Sequence, residues 1–291
     1  MAKWENVNPL NVPGALFVDM TCIDCGTCYH LAKNIFKEQD DRSVVVEQPS
    51  SPREWVQAKE AMISCPTNSI GVKNAPVEFR EARVQFPLLI SGNVYYCGYT
   101  SRDSYGASSY FIQRADGNIL IDSPRMSALL IEEIEKMGGI KTMILTHQDD
   151  VADHALYAET FGCERIIHQD DVNLSTQNVE RKLDIKETLI FDHDIKIIPV
   201  PGHTKGHIAI LYQDSYLFTG DHLFTAENPS RLTASRGVCW YSWTEQIKST
   251  RKLLSENFEW VLPGHGGWGY FPFPTKNNLL EDLVREMERK V

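Results

Sequence analysis

Apolar positions along this chain fall into short runs separated by turn residues, with no single period carried throughout. Before residue 75, Phe17-Val18-Asp19 and Val44-Val45-Val46 read as strands. Residues 29–36 follow a helical pattern, and 53–64 predict a second helix that delivers Cys65. Polar, proline-containing residues then break the pattern, and 76–82 read as a linker. Beyond it, 84–90, 93–99 and 109–113 predict strands, and Asp116-Gly117 predicts a hairpin into 118–122. Residues 126–137 are amphipathic at helical spacing and stop at Gly138-Gly139. A strand ending at Thr146, a helix over about 150–161 and a strand at 165–168 follow. Strands at 195–200, 207–212, 216–219 and 259–262, with helices at 244–257 and 277–290, complete the chain. Strands and helices mix without strict βαβ alternation, which predicts an α+β sandwich with helices outside. The expected organisation is a small domain at 1–75, the linker, and a large domain at 83–291.

Composition narrows the function classes. An apolar share of 42% is enough for ordinary globular cores, and no run approaches the ~18 apolar residues of a membrane helix. The N-terminus lacks a basic region followed by an apolar one, so no secretory signal is expected. A formal charge of -10, without long single-sign blocks, argues against a nucleic-acid surface. Of seven cysteines, four form one spaced set, while Cys97, Cys163 and Cys239 are scattered and read as small buried apolar groups. That division predicts metal ligation in a reducing cytoplasm, not disulfides.

The spaced set is Cys22, Cys25 and Cys28, with two residues between successive cysteines, and Cys65 after 36 intervening residues, followed by Pro66. Three thiolates at this spacing wrap one face of a cubane cluster, and a remote fourth closes it. A four-thiolate zinc site is the alternative, but zinc knuckles pair two C-x2-C units. The segment resembles a single-cluster bacterial-type ferredoxin, which implies one [4Fe–4S] cluster held by Cys22, Cys25, Cys28 and Cys65 as a one-electron carrier.

In the larger part, ligand-type residues follow apolar strands at four places. These are Thr146-His147-Gln148-Asp149-Asp150-Val151-Ala152-Asp153-His154, Pro201-Gly202-His203-Thr204-Lys205-Gly206-His207, Thr219-Gly220-Asp221-His222 and Pro263-Gly264-His265-Gly266. Nitrogen and oxygen donors at this density suit a divalent or ferrous ion. The order of motifs resembles the metallo-β-lactamase fold superfamily over residues 83–270. That resemblance implies an αββα sandwich with a metal site at one edge of its sheets. It also implies His147, His203, Asp221 and His265 as ligands, with Asp221 bridging two ions. The first motif departs from the family's H-x-H-x-D-H. Aligned without gaps, Asp149 takes a histidine's place, and Val151 and Ala152 remove two ligands; with a two-residue insertion, Asp153 and His154 recover them. Asp150 and Asp153 also fit a capping-box-like helix start, with Asp150 as N-cap, and Asp150 stays open between cap and metal ligand. The expected metal set is therefore His147, Asp149, Asp153, His154, His203, Asp221 and His265, holding one or two Fe or Zn ions, with Asp153 also a candidate catalytic group.

His207 reads as a support for the His203 loop, and His222 as an outer neighbour of Asp221. Among 231–243, Arg236 is a candidate contact to an anionic substrate, whereas Trp240 and Trp243, at i and i+3, read as packed. Two functional readings follow. In the first, the ferredoxin part supplies electrons to a mono- or di-nuclear non-haem iron site, as oxygen-rich ligation by Asp149 suggests. In the alternative, a zinc or iron ion activates water to hydrolyse thioesters, esters or lactones, with the ferredoxin part regulatory or docking. A non-catalytic sensor is the third. A small-molecule substrate is expected in the first two, and an electron-transfer partner protein in the first; neither nucleic acid nor membrane is expected.

Overall fold

The computed structural model describes residues 2–73, 79–83, 85–226 and 231–290. Residues 76–78 of the expected linker, and Val84 at the start of the expected strand 84–90, lie outside them. The chain forms two compact units, Met1–Lys141 with Ala152–Phe161, and Thr142–Val151 with Gly162–Val291.

The first unit opens with β1 (Leu16–Val18), α1 (Thr27–Leu31), β2 (Phe36–Glu38), β3 (Ser43–Val45), α2 (Pro52–Ser64) and β4 (Ile70–Val72). β1 pairs antiparallel with β4, and β2 with β3. The expected helix over 29–36 is shorter than its pattern: the chain leaves α1 after Leu31, and Phe36 turns into β2 to pair with Val45. α2 starts where the sequence says it should, because Ser51 caps the Glu54 N–H, Glu54 reaches back to the Ser51 N–H, and Pro52 needs no donor. Leu16, Val18, Phe36, Val45, Ala58, Ala61 and Ile70 bury together around Cys28 and Cys65.

The same unit continues with α3 (Arg80–Arg83), β5 (Leu88–Ser91), β6 (Val94–Tyr96), β7 (Tyr110–Ile112), β8 (Ile119–Ile121), α4 (Ala128–Lys136) and α5 (His154–Phe161). β5 to β8 form an antiparallel meander, and Gly117, at φ +112°, turns β7 into β8. α5 begins four residues later than its pattern suggests. Ala152 adopts φ +29°, and the amides of Leu156 and Tyr157 bond back to the Asp153 carbonyl.

The second unit holds β9 (Thr142–Ile144), β10 (Glu164–His168) and β11 (Arg181–Leu183), paired in parallel with β10 central. It also holds a six-stranded mixed sheet in the order β12 (Leu189–Asp192), β13 (Ile195–Pro199), β14 (Ile208–Tyr212), β15 (Tyr216–Gly220), β18 (Trp260–Pro263) and β19 (Gly269–Tyr270). A two-stranded pair, β16 (Phe224–Thr225) with β17 (Leu232–Thr233), follows β15, and helices α6 (Trp243–Lys252) and α7 (Thr275–Glu288) flank β18 and β19 in sequence. Ile198, Leu211, Leu217 and Val261 of the sheet, with Val200 just after β13, pack with Trp243, Ile247, Leu280 and Val284 of the helices in one core. All of β14 and β15 is buried, so these central strands read as continuous apolar runs. Leu217→Ala, at a fully buried position in this core, should cost about 2–5 kcal/mol, read as a lower urea midpoint at unchanged slope. Among the described residues, no helix is long and apolar enough to cross a membrane.

Candidate metal centre and cluster site

The four spaced cysteines line one small cavity with Val18, Thr27, Ser43 and Ile70. Their sulfurs are met by polar donors: Asp24 and Ser43 amides at Cys22 (3.4 and 3.3 Å), and the Ser69 amide at Cys65 (3.3 Å). Burial pushes the Cys25 thiol up to about 11 and the Cys28 thiol further, so thiolates there require a cation. Four convergent sulfurs with N–H donors fit the cluster that the spacing implies. Cys97 and Cys163 are buried, as their scattering suggested, whereas Cys239 is half-buried.

In the second unit, strand pairing assembles the histidines and carboxylates. The Ile208 amide of β14 donates to the Thr146 carbonyl (2.9 Å), tying the His147 strand end to the six-stranded sheet. β15 and β18 run parallel, with Phe218 opposite Leu262 and Gly220 opposite Pro263, so Asp221 and His265 emerge side by side. Gly264 must be glycine here, because a Cβ would sit 2.5 Å from Asp221 Oδ1 and 2.7 Å from Asp150 Oδ2.

One atom lies at the centre. Asp221 Oδ2 is 3.8 Å from His147 Nε2, 3.8 Å from His203 Nε2 and 3.4 Å from His265 Nε2. Asp149 Oδ2 lies 3.3 Å from His203 Nε2 and 3.9 Å from His147 Nε2, while Asp150 Oδ1 lies 4.0 Å from His265 Nε2. Potential ligand atoms therefore gather as two groups sharing His147: one with Asp149 and His203, the other with Asp150 and Asp221. Thr146 Oγ1 engages His147 Nδ1 (2.9 Å), leaving a buried Nε2 with no hydrogen-bond partner among the described residues. Burial lowers His147 to about 4, which keeps the ring neutral and ready to ligate. Burial would lower His203 too, but its bond to Asp149 and the charge of Asp221 outweigh that and raise it. The same bond to His203 lowers Asp149 and keeps it ionised. The orphaned Nε2 of a neutral His147, with the ionised Asp149 and the Asp221 carboxylate close by, fits a metal ion.

Two expected ligands are absent from these groups. Asp153 accepts the Met126 N–H at 2.5 Å, and His154 is the buried first residue of α5. Asp150 joins instead; because α5 starts at His154, Asp150 lies four residues ahead of the helix and does not cap it. The guanidinium of Arg236 donates to the Lys290 carbonyl beyond α7, so it is held there and not at the histidines.

His207 stacks on His147 at 4.7 Å and accepts the Asp221 N–H through Nε2 (3.1 Å), so it orients the His147 ring and the Asp221 backbone. His222 pairs with Thr250, and His168 with the Ile185 carbonyl; both are structural. The tryptophans divide. Trp243 is buried and bonds the Met287 carbonyl (3.0 Å), but Trp240 is 64% exposed, with its ring 6.2 Å from that of His203. Amides of Trp240 and Tyr241 both donate to the His203 carbonyl (2.9 and 3.0 Å), fixing this aromatic edge beside the ligand.

Sequence reasoning passed over Asp171. Its buried carboxylate accepts from the Gly206 amide (2.6 Å), Thr204 Oγ1 (2.5 Å) and the Gln148 amide (3.2 Å), joining the His203 and His147 loops. The signal was the repeated His-Gln-Asp-Asp at 147–150 and 168–171, whose second copy ends on this residue. Asp171→Ala should weaken metal binding by roughly 10–100-fold in chelator competition, with the fold retained by circular dichroism.

Comparison with known proteins adds relatives. The family model described as the 4Fe-4S single cluster domain of Ferredoxin I matches residues 18–72. The one described as the metallo-beta-lactamase superfamily matches 102–279. A hydroxyacylglutathione hydrolase of Rhizobium etli is 36% identical over 109 residues, which is 36% of this chain and 42% of that protein. The chain thus spans under half the length of that relative. A probable metallo-hydrolase of Methanocaldococcus jannaschii is 31% identical over 191 residues, covering 57% of this chain and 90% of that protein. Among solved structures, the DIM-1 metallo-beta-lactamase aligns over 70% of this chain and 96% of its own, with TM-score 0.55 at 17% identity. A metallo-beta-lactamase from Pontibacter korlensis gives 0.51 at 17%, over 69% and 97%. At such identities the likeness is one of fold.

Proposed function

This chain belongs to the metallo-beta-lactamase superfamily, and from that premise we propose a metal-dependent hydrolase of small-molecule thioesters or esters, with the ferredoxin part regulatory or docking. The observation that carries this reading is Asp221 Oδ2, placed within 3.8 Å of three imidazole nitrogens between two carboxylates. Relatives named as hydrolases support the same choice, and the electron-delivery reading, placed first on sequence grounds, becomes second to it.

His147, Asp149 and His203 would hold one ion, and Asp150 and His265 a second, with Asp221 shared. When bound, the metal supplies water of lowered pKa and polarises the scissile carbonyl. In the net reaction, water oxygen bonds the acyl carbon, the C–S or C–O bond breaks, and the leaving group departs with a proton. The protein's own part is orientation. Thr146 and His207 hold His147 and Asp221, and Asp171 joins the His147 and His203 loops. Asp149 is ionised and 44% exposed, so it faces incoming solvent and substrate. Trp240 offers an aromatic surface beside His203 to the substrate's acyl group.

A panel of acyl thioesters, esters and lactones tests the reading, using full-length protein with and without chelator. Metal-dependent turnover is expected, and its absence across the panel would overturn the proposal. Within that panel, Trp240→Ala should raise KM for an arylacyl thioester by roughly three- to tenfold at unchanged kcat, with Trp240→Phe near wild type. Equal KM values for all three proteins would remove Trp240 from substrate contact. The redox reading keeps one supporting feature, Asp149 beside His203, where its carboxylate would make the ligation oxygen-rich. Its test is zinc substitution, because turnover retained with zinc and an oxidised cluster eliminates it.

A further inference from the structure

Segment 101–107 lies beyond the residues matched by the ferredoxin model, yet it closes over the cysteine loop within the first unit. Gly106, at φ +83°, approaches Cys25 so closely that a Cβ would lie 2.6 Å from Cys25 Cβ and 2.8 Å from its sulfur. The same position is 3.2 Å from Pro66, beside the fourth cysteine. Thr27 Oγ1 donates to the Gly106 carbonyl (3.3 Å), and the Tyr105 hydroxyl donates to the Ile23 carbonyl (2.5 Å). Tyr105 holds φ +49°, a left-handed conformation that is costly for a tyrosine and persists only when its surroundings impose it. The Gly106 amide closes the loop on the Ser101 carbonyl (2.7 Å), and Ser101, Ser104 and Ala107 are buried. Further out, Thr100 Oγ1 and Arg125 Nη2 anchor the segment to the Ser64 and Ile63 carbonyls at the end of α2 (2.6 and 2.7 Å).

We infer that Tyr105 and Gly106 are positioning residues for the cluster: Gly106 is a non-ligand wall on the Cys25 sulfur, Tyr105, itself 56% exposed, straps that wall to the cysteine loop, and together they set the cluster's reduction potential and stability. Potentials of iron–sulfur clusters follow hydrogen bonding to sulfur and solvent exposure. Water admitted beside Cys25 would solvate the more negative reduced state and make reduction easier. The wall also makes the cluster a resident group of this unit, closed on one side to any electron-transfer partner.

The test uses the anaerobically reconstituted full chain, with the potential followed by paramagnetic resonance and iron release to a ferrous chelator followed in air. Gly106→Ala, whose Cβ must push the wall off the sulfur, should move the potential in the positive direction and speed iron release by roughly tenfold or more. Tyr105→Phe keeps the ring, loses the strap and should shift both readouts the same way by less. Thr100→Val removes an anchor remote from the sulfurs and should leave the potential unchanged. If Gly106→Ala fails to load a cluster, the Tyr105→Phe and Thr100→Val pair decides. Wild-type potential and release in Tyr105→Phe, or an equal shift in Thr100→Val, would overturn the assignment.

Discussion

Asp221→Ala should abolish metal binding in the second unit and lower hydrolysis by on the order of 10³-fold, about 4 kcal/mol of lost barrier reduction. The size follows from position. Asp221 is the one carboxylate facing His147, His203 and His265 together, so its removal takes an anion from between three imidazoles. Burial already keeps His147 neutral, so the ring brings no charge and the Asp221 carboxylate is what would balance a cation there. Neither neighbouring carboxylate spans the same three rings: Asp149 lies against His203 and His147, and Asp150 against His265 and His147. Metal analysis with circular dichroism checks the result. A folded variant with full metal content and activity would remove the shared-ligand role and the proposed function with it.

The second large effect is expected at Asp150. Asp150→Ala should lose one equivalent of metal, leave the other bound and reduce hydrolysis by roughly 10–100-fold, less than Asp221→Ala does. Asp150 is buried, its Oδ1 lies 4.0 Å from His265 Nε2, and its Oδ2 sits against the position that only a glycine at 264 leaves open. The site of His147, Asp149 and His203 does not include it, so that half should persist. Asp153→Ala is the informative companion. Its carboxylate accepts a backbone N–H from Met126, so this variant should lower thermal stability while keeping metal content. The reverse pattern, metal lost from Asp153→Ala and kept in Asp150→Ala, would restore the two-residue-insertion alignment of the motif.

Much of the candidate site was legible as order and chemistry. The cysteine spacing announced a cluster site, and the single-cluster ferredoxin match over 18–72 agrees with it. Likewise, His147, His203, Asp221 and His265 each follow an apolar run, and strand ends are where a rigid scaffold presents reactive groups. The choice between Asp150 and Asp153 stayed open in the sequence. Three carboxylates within five residues satisfy both a cap and a ligand pattern, and only the late start of α5, with Ala152 at φ +29°, selects between them. Trp240 and Trp243 share the spacing of a packed helix face, yet α6 begins at Trp243, so Trp240 falls on the preceding loop and stays exposed.

The sequence by itself determined which residue types and short-range geometries were present: thiolates with two residues between them on one loop, glycines beside ligands, and a capping box starting α2. These are local properties, set by bond geometry and side-chain reach. Tertiary structure alone decided which of them meet. Asp171 joining two loops, the parallel pairing of β15 and β18 that sets Asp221 beside His265, and Gly106 resting on Cys25 all bring together residues far apart in the chain. Such contacts form only when burial of distant apolar runs offsets the entropy of closing the loops between them, a balance no single stretch encodes.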